Sequence, residues 1–159
     1  MTAEAKKSPF LPPRWVVRSA WVIHRAIYRF TGGRRGLWKP KGDKWGTLRL
    51  FTVGRHSGKE RAAILGYYED GPNLVTMAMN GWAAPEPAWW LNLQAHPDVT
   101  IEVKDGKRAV HGRAAVGEER ERLWRMFRGE GHEEWGDVDA YATRRPGETA
   151  IVVLEPRAS

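Results

Sequence analysis

The chain contains no cysteine, and that single absence removes disulfide frameworks, thiol nucleophiles, zinc ribbons and iron–sulfur sites together. Serine is nearly as scarce. Ser8, Ser19, Ser57 and Ser159 are the full set and none stands in a GxSxG elbow, so acyl-enzyme hydrolysis has no visible nucleophile. The five histidines, His24, His56, His96, His111 and His132, form neither an HExxH motif nor any other metal-ligand spacing, which argues against a protein-bound metal. No uninterrupted apolar run approaches the roughly 20 residues of a membrane span, and no internal repeat or low-complexity tract occurs. Met1–Pro9 is polar and lacks the apolar centre and small-residue cleavage site of a secretory signal. The expected location is the reducing cytoplasm.

What is present is a chain of 159 residues, 42% apolar, with nine tryptophans, which suits one globular domain with a substantial core. Its net charge of +7 is unevenly spread: the first 62 residues hold 15 Lys and Arg against Glu4, Asp43 and Glu60, and the remainder is net acidic. The basic half should seek an anion, whether nucleic acid, an anionic membrane surface or a small molecule bearing phosphate or carboxylate. No nucleic-acid recognition motif matches, and nucleic acid is not expected as a partner.

The organisation reads as a basic tail, helix and linker over 1–45 and a compact domain over 46–159. Arg14–Phe30 has a helical period, opened by Pro12-Pro13 and closed by Gly32-Gly33. Arg14, Arg18, Arg25 and Arg29 share one face opposite Val16, Ala20, Ile23, Ile27 and Phe30. Four arginines at ~2.5–3.5 kcal/mol each near the bilayer centre forbid spanning. Two readings of this amphipathic helix stay open: packing on its own domain, or peripheral contact with anionic lipid aided by Trp15 and Trp21. Beyond the linker the period shifts towards two, predicting strands over Thr47–Val53, Arg61–Tyr68, Asn73–Met79, Val99–Val103, Arg108–Ala114 and Thr149–Leu154, the last stopped by Pro156. Helices are expected from Pro87 to about Ala95, with Pro87 at an N1-like position, over Glu118–Arg128, and around Asp137–Arg145. Five to six mostly antiparallel strands with added helices predict a mainly β fold, a small barrel with α decoration.

Two segments could carry chemistry. The first, Gly54-Arg55-His56-Ser57-Gly58-Lys59-Glu60-Arg61, is a Gly-bounded turn between strands in which Ser57, main-chain amides and the Arg55 and Arg61 guanidinium groups can meet an anion. A merely solvated basic hairpin is the plain alternative, and the Gly-Lys-Ser/Thr order of a P-loop is missing. The second, Asn80-Gly81-Trp82-Ala83-Ala84-Pro85-Glu86-Pro87-Ala88-Trp89-Trp90-Leu91-Asn92-Leu93, offers backbone donors and an aromatic wall to a flat ligand. Trp90 reads as core, and Trp89 can serve either wall or core. With neither nucleophile, metal nor acid–base pair evident, an enzyme built from these residues would borrow its reactivity from a cofactor.

Four strings lie in order along the chain: Thr52-Val53-Gly54-Arg55-His56-Ser57-Gly58-Lys59, Ala88-Trp89-Trp90-Leu91-Asn92-Leu93-Gln94-Ala95-His96-Pro97, Gly117-Glu118-Glu119-Arg120-Glu121-Arg122-Leu123-Trp124 and Ile151-Val152-Val153-Leu154-Glu155-Pro156. Together they resemble the deazaflavin-dependent nitroreductase and quinone reductase family of actinobacteria. The resemblance implies a split β-barrel of the FMN-binding type and reduced coenzyme F-420, whose lactyl phosphate and oligoglutamate tail would account for a cationic half. By position in that family, Arg55, His56 and Arg61, with Ser57 in the same turn, would grip the tail. A second basic residue usually stands where His56 does, which implies a weaker or pH-dependent grip. Met77, Ala78, Met79, Asn80 and Gly81 would lie beneath the deazaflavin, and Trp89 and Asn92 would line its site. The usual Lys-His pair is absent around Pro85-Glu86. Of the family's spaced C-terminal tyrosines only Tyr141 matches, with Trp135 and Val138 at the other substrate positions. The implied reaction is hydride transfer to a quinone, activated alkene or nitroaromatic, with solvent or the Tyr141 hydroxyl supplying the proton. The resemblance also suggests membrane association, placing the protein at the inner face of the plasma membrane, and split barrels offer a homodimer by analogy. A non-catalytic flavin- or deazaflavin-binding split barrel is the alternative.

Overall fold

The computed structural model describes residues 36–130 and 135–158, together with Trp15. The Arg14–Phe30 helix expected from the sequence lies outside the described residues except for Trp15, and so does most of the proposed 1–45 segment. Its described end is stitched to the barrel: the Trp38 amide donates to Thr47 Oγ1 at 3.2 Å, and that hydroxyl donates to the Gly36 carbonyl at 3.0 Å.

Six strands, β1 (Gly46–Val53), β2 (Glu60–Asp70), β3 (Asn73–Met77), β4 (Asp98–Val103), β5 (Gly106–Ala114) and β6 (Ile151–Pro156), close into a barrel in the order β1-β2-β3-β6-β5-β4. Every pairing is antiparallel. Closure removes the free edges that would otherwise invite aggregation.

The strands divide by what covers their outer faces. In β1 and β4, Leu48, Leu50, Val99, Ile101 and Val103 point into the barrel while Arg49, Phe51, Thr100 and Glu102 face outward, the alternation of a half-solvated strand. In β2, β3 and β6 both faces are apolar. Leu65, Tyr67, Leu74, Val152 and Leu154 fill the interior, whereas Tyr68, Val75, Met77, Ile151 and Val153 form a second core outside it. Helix α2 (Gly117–Arg128) covers that outer core with Leu123 and Phe127, one turn apart on one face. Glu118 and Glu119 in its first turn and Arg125 and Arg128 in its last complement the helix dipole, and Gly129 ends it at φ 107°. Helix α1 (Ala88–Ala95) drives Trp90 and Leu93 into the barrel core. Helix α3 (Val138–Ala142) starts at Asp137, whose side chain accepts from the Ala140 amide at 3.1 Å.

Three boundaries differ from expectation for physical reasons. β3 ends at Met77 rather than Met79 because the chain then enters a left-handed turn. Pro87 is the N-cap of α1, with extended ψ 139°, not its first helical residue. Pro156 does not stop β6 but closes it opposite Val110, a terminal position where a missing N–H is tolerated. Among the described residues no helix is long and apolar enough to cross a membrane.

Candidate functional site

A cleft of about 860 Å³ runs beside β2, bounded by the β1–β2 turn, the 78–87 loop, the start of α1 and Trp135. Arg61 and Gly66 both line it. They stand five positions apart along the strand, roughly 17 Å, so the cleft is elongated, with a cationic end and an aromatic end.

The cationic end is the turn between β1 and β2. It is closed by the Gly54 amide on the Lys59 carbonyl and the Gly58 amide on the Gly54 carbonyl, both 2.8 Å, while Ser57 Oγ accepts from the Lys59 amide at 3.2 Å. Asn92 reaches it from α1. Its buried Oδ1 accepts from the Arg55 amide at 3.1 Å and from Arg55 Nη1 at 3.2 Å, and its Nδ2 donates to Thr52 Oγ1 at 3.5 Å. Arg55, His56, Ser57 and Arg61 all line the cleft and are exposed. Elsewhere Arg113, Arg120, Arg122, Arg125, Arg128, Arg145 and Arg157 each meet a carboxylate. Among the described residues Arg55 and Arg61 meet none, which leaves their charge directed at whatever enters the cleft.

The floor of the cleft is made by the loop leaving β3. Ala78 is fully buried and its amide donates to the Ala150 carbonyl at 2.9 Å, so it supports the loop rather than lining the cleft; Met77, Met79, Asn80 and Gly81 do line it. Asn80, Gly81 and Trp82 then take φ values of 49°, 59° and 64°. A left-handed conformation costs a non-glycine residue about 1–2 kcal/mol. Glycine carries the middle position freely and asparagine tolerates the first, but tryptophan is an outlier. The turn persists because its surroundings over-determine it: the Trp82 amide bonds the Met79 carbonyl at 2.8 Å, Asn80 Nδ2 bonds the Pro85 carbonyl at 2.8 Å, and the Trp82 ring packs 5.6 Å from Tyr141. Among the described residues the amides of Asn80 and Gly81 meet no acceptor, so they are donors left for a ligand.

At the aromatic end Trp135 lies against Gly66, where a Cβ would stand 3.2 Å from the indole. Its ring is fixed edge-on to Phe127 at 4.8 Å and to Trp45 at 6.3 Å. Trp89 is half-buried on the cleft wall, whereas Trp90 is 5% exposed within the barrel core. Val138 and Tyr141, expected at the substrate end, sit elsewhere. Val138 is fully buried in the outer core, and Tyr141 is half-buried behind Trp82; neither lines the cleft.

Sequence reasoning missed two contributions. The inner wall is β2 itself, through Ala62, Ala63, Ile64 and Leu65, together with Thr76 of β3; the doubled apolar run Ile64-Leu65 was the available signal of a strand needed on both faces. Arg145 is 6% exposed behind the 78–87 loop, and no spacing marks it, because three of its partners are backbone carbonyls far away in the chain. Among the described residues no cluster of three or more potential metal ligands occurs.

Comparison with known proteins bears on this geometry. A model of the F420H(2)-dependent quinone reductase family matches residues 21–156. An F420H(2)-dependent quinone reductase of Mycobacterium tuberculosis is 37% identical over 94 residues, which is 57% of this chain and 62% of the relative; the chain therefore matches less than two-thirds of that relative's length. Among solved structures, one described as a domain-swapped dimer superposes with a TM-score of 0.62 at 25% identity, covering 91% of this chain and all of the other. An F420-H2 dependent reductase superposes at 0.59 with 25% identity, covering 69% and 93%.

Proposed function

Because the chain belongs to the F420H(2)-dependent quinone reductase family, we propose that it is an oxidoreductase that uses reduced coenzyme F420 to reduce a quinone, activated alkene or nitroaromatic. The observation that carries this reading is an elongated cleft that holds, among the described residues, two arginines without carboxylate partners at one end and unpaired backbone donors beside an apolar wall at the other. The fit to a flat ring with an anionic tail is direct. Arg55, Arg61 and His56 would hold phosphate and carboxylates, with Asn92 orienting Arg55. Met77, Met79, Asn80 and Gly81 would support the ring, the free amides of Asn80 and Gly81 facing its polar edge, and Trp89 would close one side.

Bound there, the coenzyme supplies a hydride from the deazaflavin C5. The chain's own contribution is position and exclusion of water: Trp135, held by Phe127 and Trp45, offers a flat apolar surface against which an acceptor can lie over the ring. The second hydrogen arrives as a proton. The open mouth of the cleft favours solvent as its source, since Tyr141 stands behind Trp82. Titration with coenzyme F420, followed by tryptophan quenching beside a parallel titration with FMN, tests the reading. Tight F420 binding and turnover of a quinone support it; preference for FMN, or F420 binding without turnover of any acceptor class, moves the protein to the non-catalytic alternative.

Two finer points belong to the same proposal. The Arg14–Phe30 segment attaches the protein to anionic membrane on the cytoplasmic side, where membrane-dissolved quinone resides, and liposome binding unchanged on deletion of residues 1–30 would refute it. The assembly is a homodimer, with the domain-swapped neighbour as precedent; a monomeric mass by light scattering would exclude it.

A further inference from the structure

Arg145 lies between α3 and β6, and its side chain is 2% exposed. A guanidinium carries five N–H donors, and here four hydrogen bonds and one ion pair engage them. Nε donates to the Ala83 carbonyl at 3.0 Å. Nη1 donates to the Ala78 carbonyl at 2.9 Å and to Thr149 Oγ1 at 3.0 Å. Nη2 donates to the Pro85 carbonyl at 3.3 Å and lies 3.4 Å from Glu86 Oε1. Four of these five acceptors belong to the loop that forms the cleft floor, and they flank the left-handed Asn80-Gly81-Trp82 turn on both sides. The fifth, Thr149, is buried at the approach to β6 and ties the arrangement to the barrel.

We infer that Arg145 is a positioning residue for the cofactor site: it clamps the carbonyls of 78, 83 and 85 so that the strained turn stays formed and the Asn80 and Gly81 amides remain directed at the ligand. This rests on the deazaflavin reading above. The physical reason is geometric. A planar fork with five fixed donors can hold acceptors from both arms of a loop at once, whereas a lysine ammonium has three donors at one point. Burial raises the stake at the Ala78 carbonyl, whose residue is fully buried, because a buried acceptor left without a partner is costly. The turn's own sequence cannot hold it, since Trp82 resists the conformation it adopts.

The inference predicts a signature different from loss of the anionic grip. Arg145→Lys and Thr149→Val should weaken binding of coenzyme F420 and of the deazaflavin chromophore lacking its phosphate-bearing tail by the same factor, about tenfold and threefold respectively. An Arg55→Ala/Arg61→Ala variant should weaken only the tailed coenzyme. Hydrogen exchange on the protein without coenzyme gives an independent reading: the Trp82 and Ala83 amides, which close the turn on the Met79 and Asn80 carbonyls, should lose protection in both variants while β1, β4 and β5 keep theirs. If Arg145→Lys does not fold, Thr149→Val carries the same comparison. Unchanged affinity for the tailless chromophore, or loss of protection spread evenly over the barrel, would overturn the positioning role and leave Arg145 a stabilising residue. If the wild-type protein binds no deazaflavin, the functional reading fails on its own, and the exchange pattern still decides whether Arg145 holds the turn.

Discussion

The two ends of the cleft are built on opposite plans. The β1–β2 turn is exposed and its own bonds are short-range; among the described residues its guanidinium groups meet no carboxylate, and Asn92 braces it from α1. The 78–87 loop is supported from behind by a buried arginine and holds three successive left-handed residues against their preference. On the proposed function, the difference follows from what each end would recognise. An anionic tail is attracted over several ångströms and tolerates adjustment, so charge and access suffice. A rigid ring awaiting hydride transfer tolerates little displacement, because a misplacement of about 1 Å can cost a hundredfold in rate. Its floor must therefore be fixed before the ligand arrives.

The comparison breaks most visibly at the cationic end. Arg55→Ala/Arg61→Ala should weaken coenzyme F420 by roughly 2–3 kcal/mol, about 30- to 150-fold, measured by tryptophan quenching, and the loss should shrink in high salt. At the ring end Gly81→Ala places a Cβ on a residue at φ 59°. It should cost about 1 kcal/mol and about fivefold in affinity, equally for tailed and tailless deazaflavin. Between the ends stands Asn92→Ala, which frees Arg55 while leaving its charge. It should lower stability by about 1–2 kcal/mol and slow coenzyme association less than it speeds release, visible in stopped-flow traces.

The smallest effect provides a control far from the cleft. Arg113 bridges Glu119 and Glu155 across β5, α2 and β6, and its hydrogen bonds hold the Glu119 carboxyl below the ordinary glutamate range. A carboxylate with a lowered folded-state pKa stabilises the fold above the unfolded value and loses that contribution as pH falls through the folded one. Arg113→Met should therefore lower the urea midpoint at pH 7 by the equivalent of less than about 1 kcal/mol. The difference from wild type should shrink as pH falls through the folded-state titration of Glu119, with coenzyme affinity at pH 7 unchanged.

Much of this was legible before any coordinates. The alternation Leu48-Arg49-Leu50-Phe51 marks a half-solvated strand, Asp105-Gly106 marks a hairpin, and Leu123 and Phe127 mark the buried stripe of a helix, because each signal is carried by neighbours in the chain. The basic turn was legible for the same reason: glycines and basic residues crowd into eight consecutive positions. Trp90 was legible as core, but Trp89 was not assignable by sequence, since adjacent helical residues differ by only 100° and the helix seats Trp90 in the barrel and Trp89 on the cleft wall.

Strand number, the basic turn and the family resemblance were therefore determined by the sequence itself, through local pattern and composition. Tertiary structure alone decided the rest. Barrel closure brought β6 beside β3, and with it carried Arg145 under a loop more than 60 positions earlier in the chain. It also set Tyr141 behind Trp82 rather than on the cleft wall. Such placements depend on carbonyl groups and ring packing that every sequence possesses, so no residue pattern could announce them before the strands had closed.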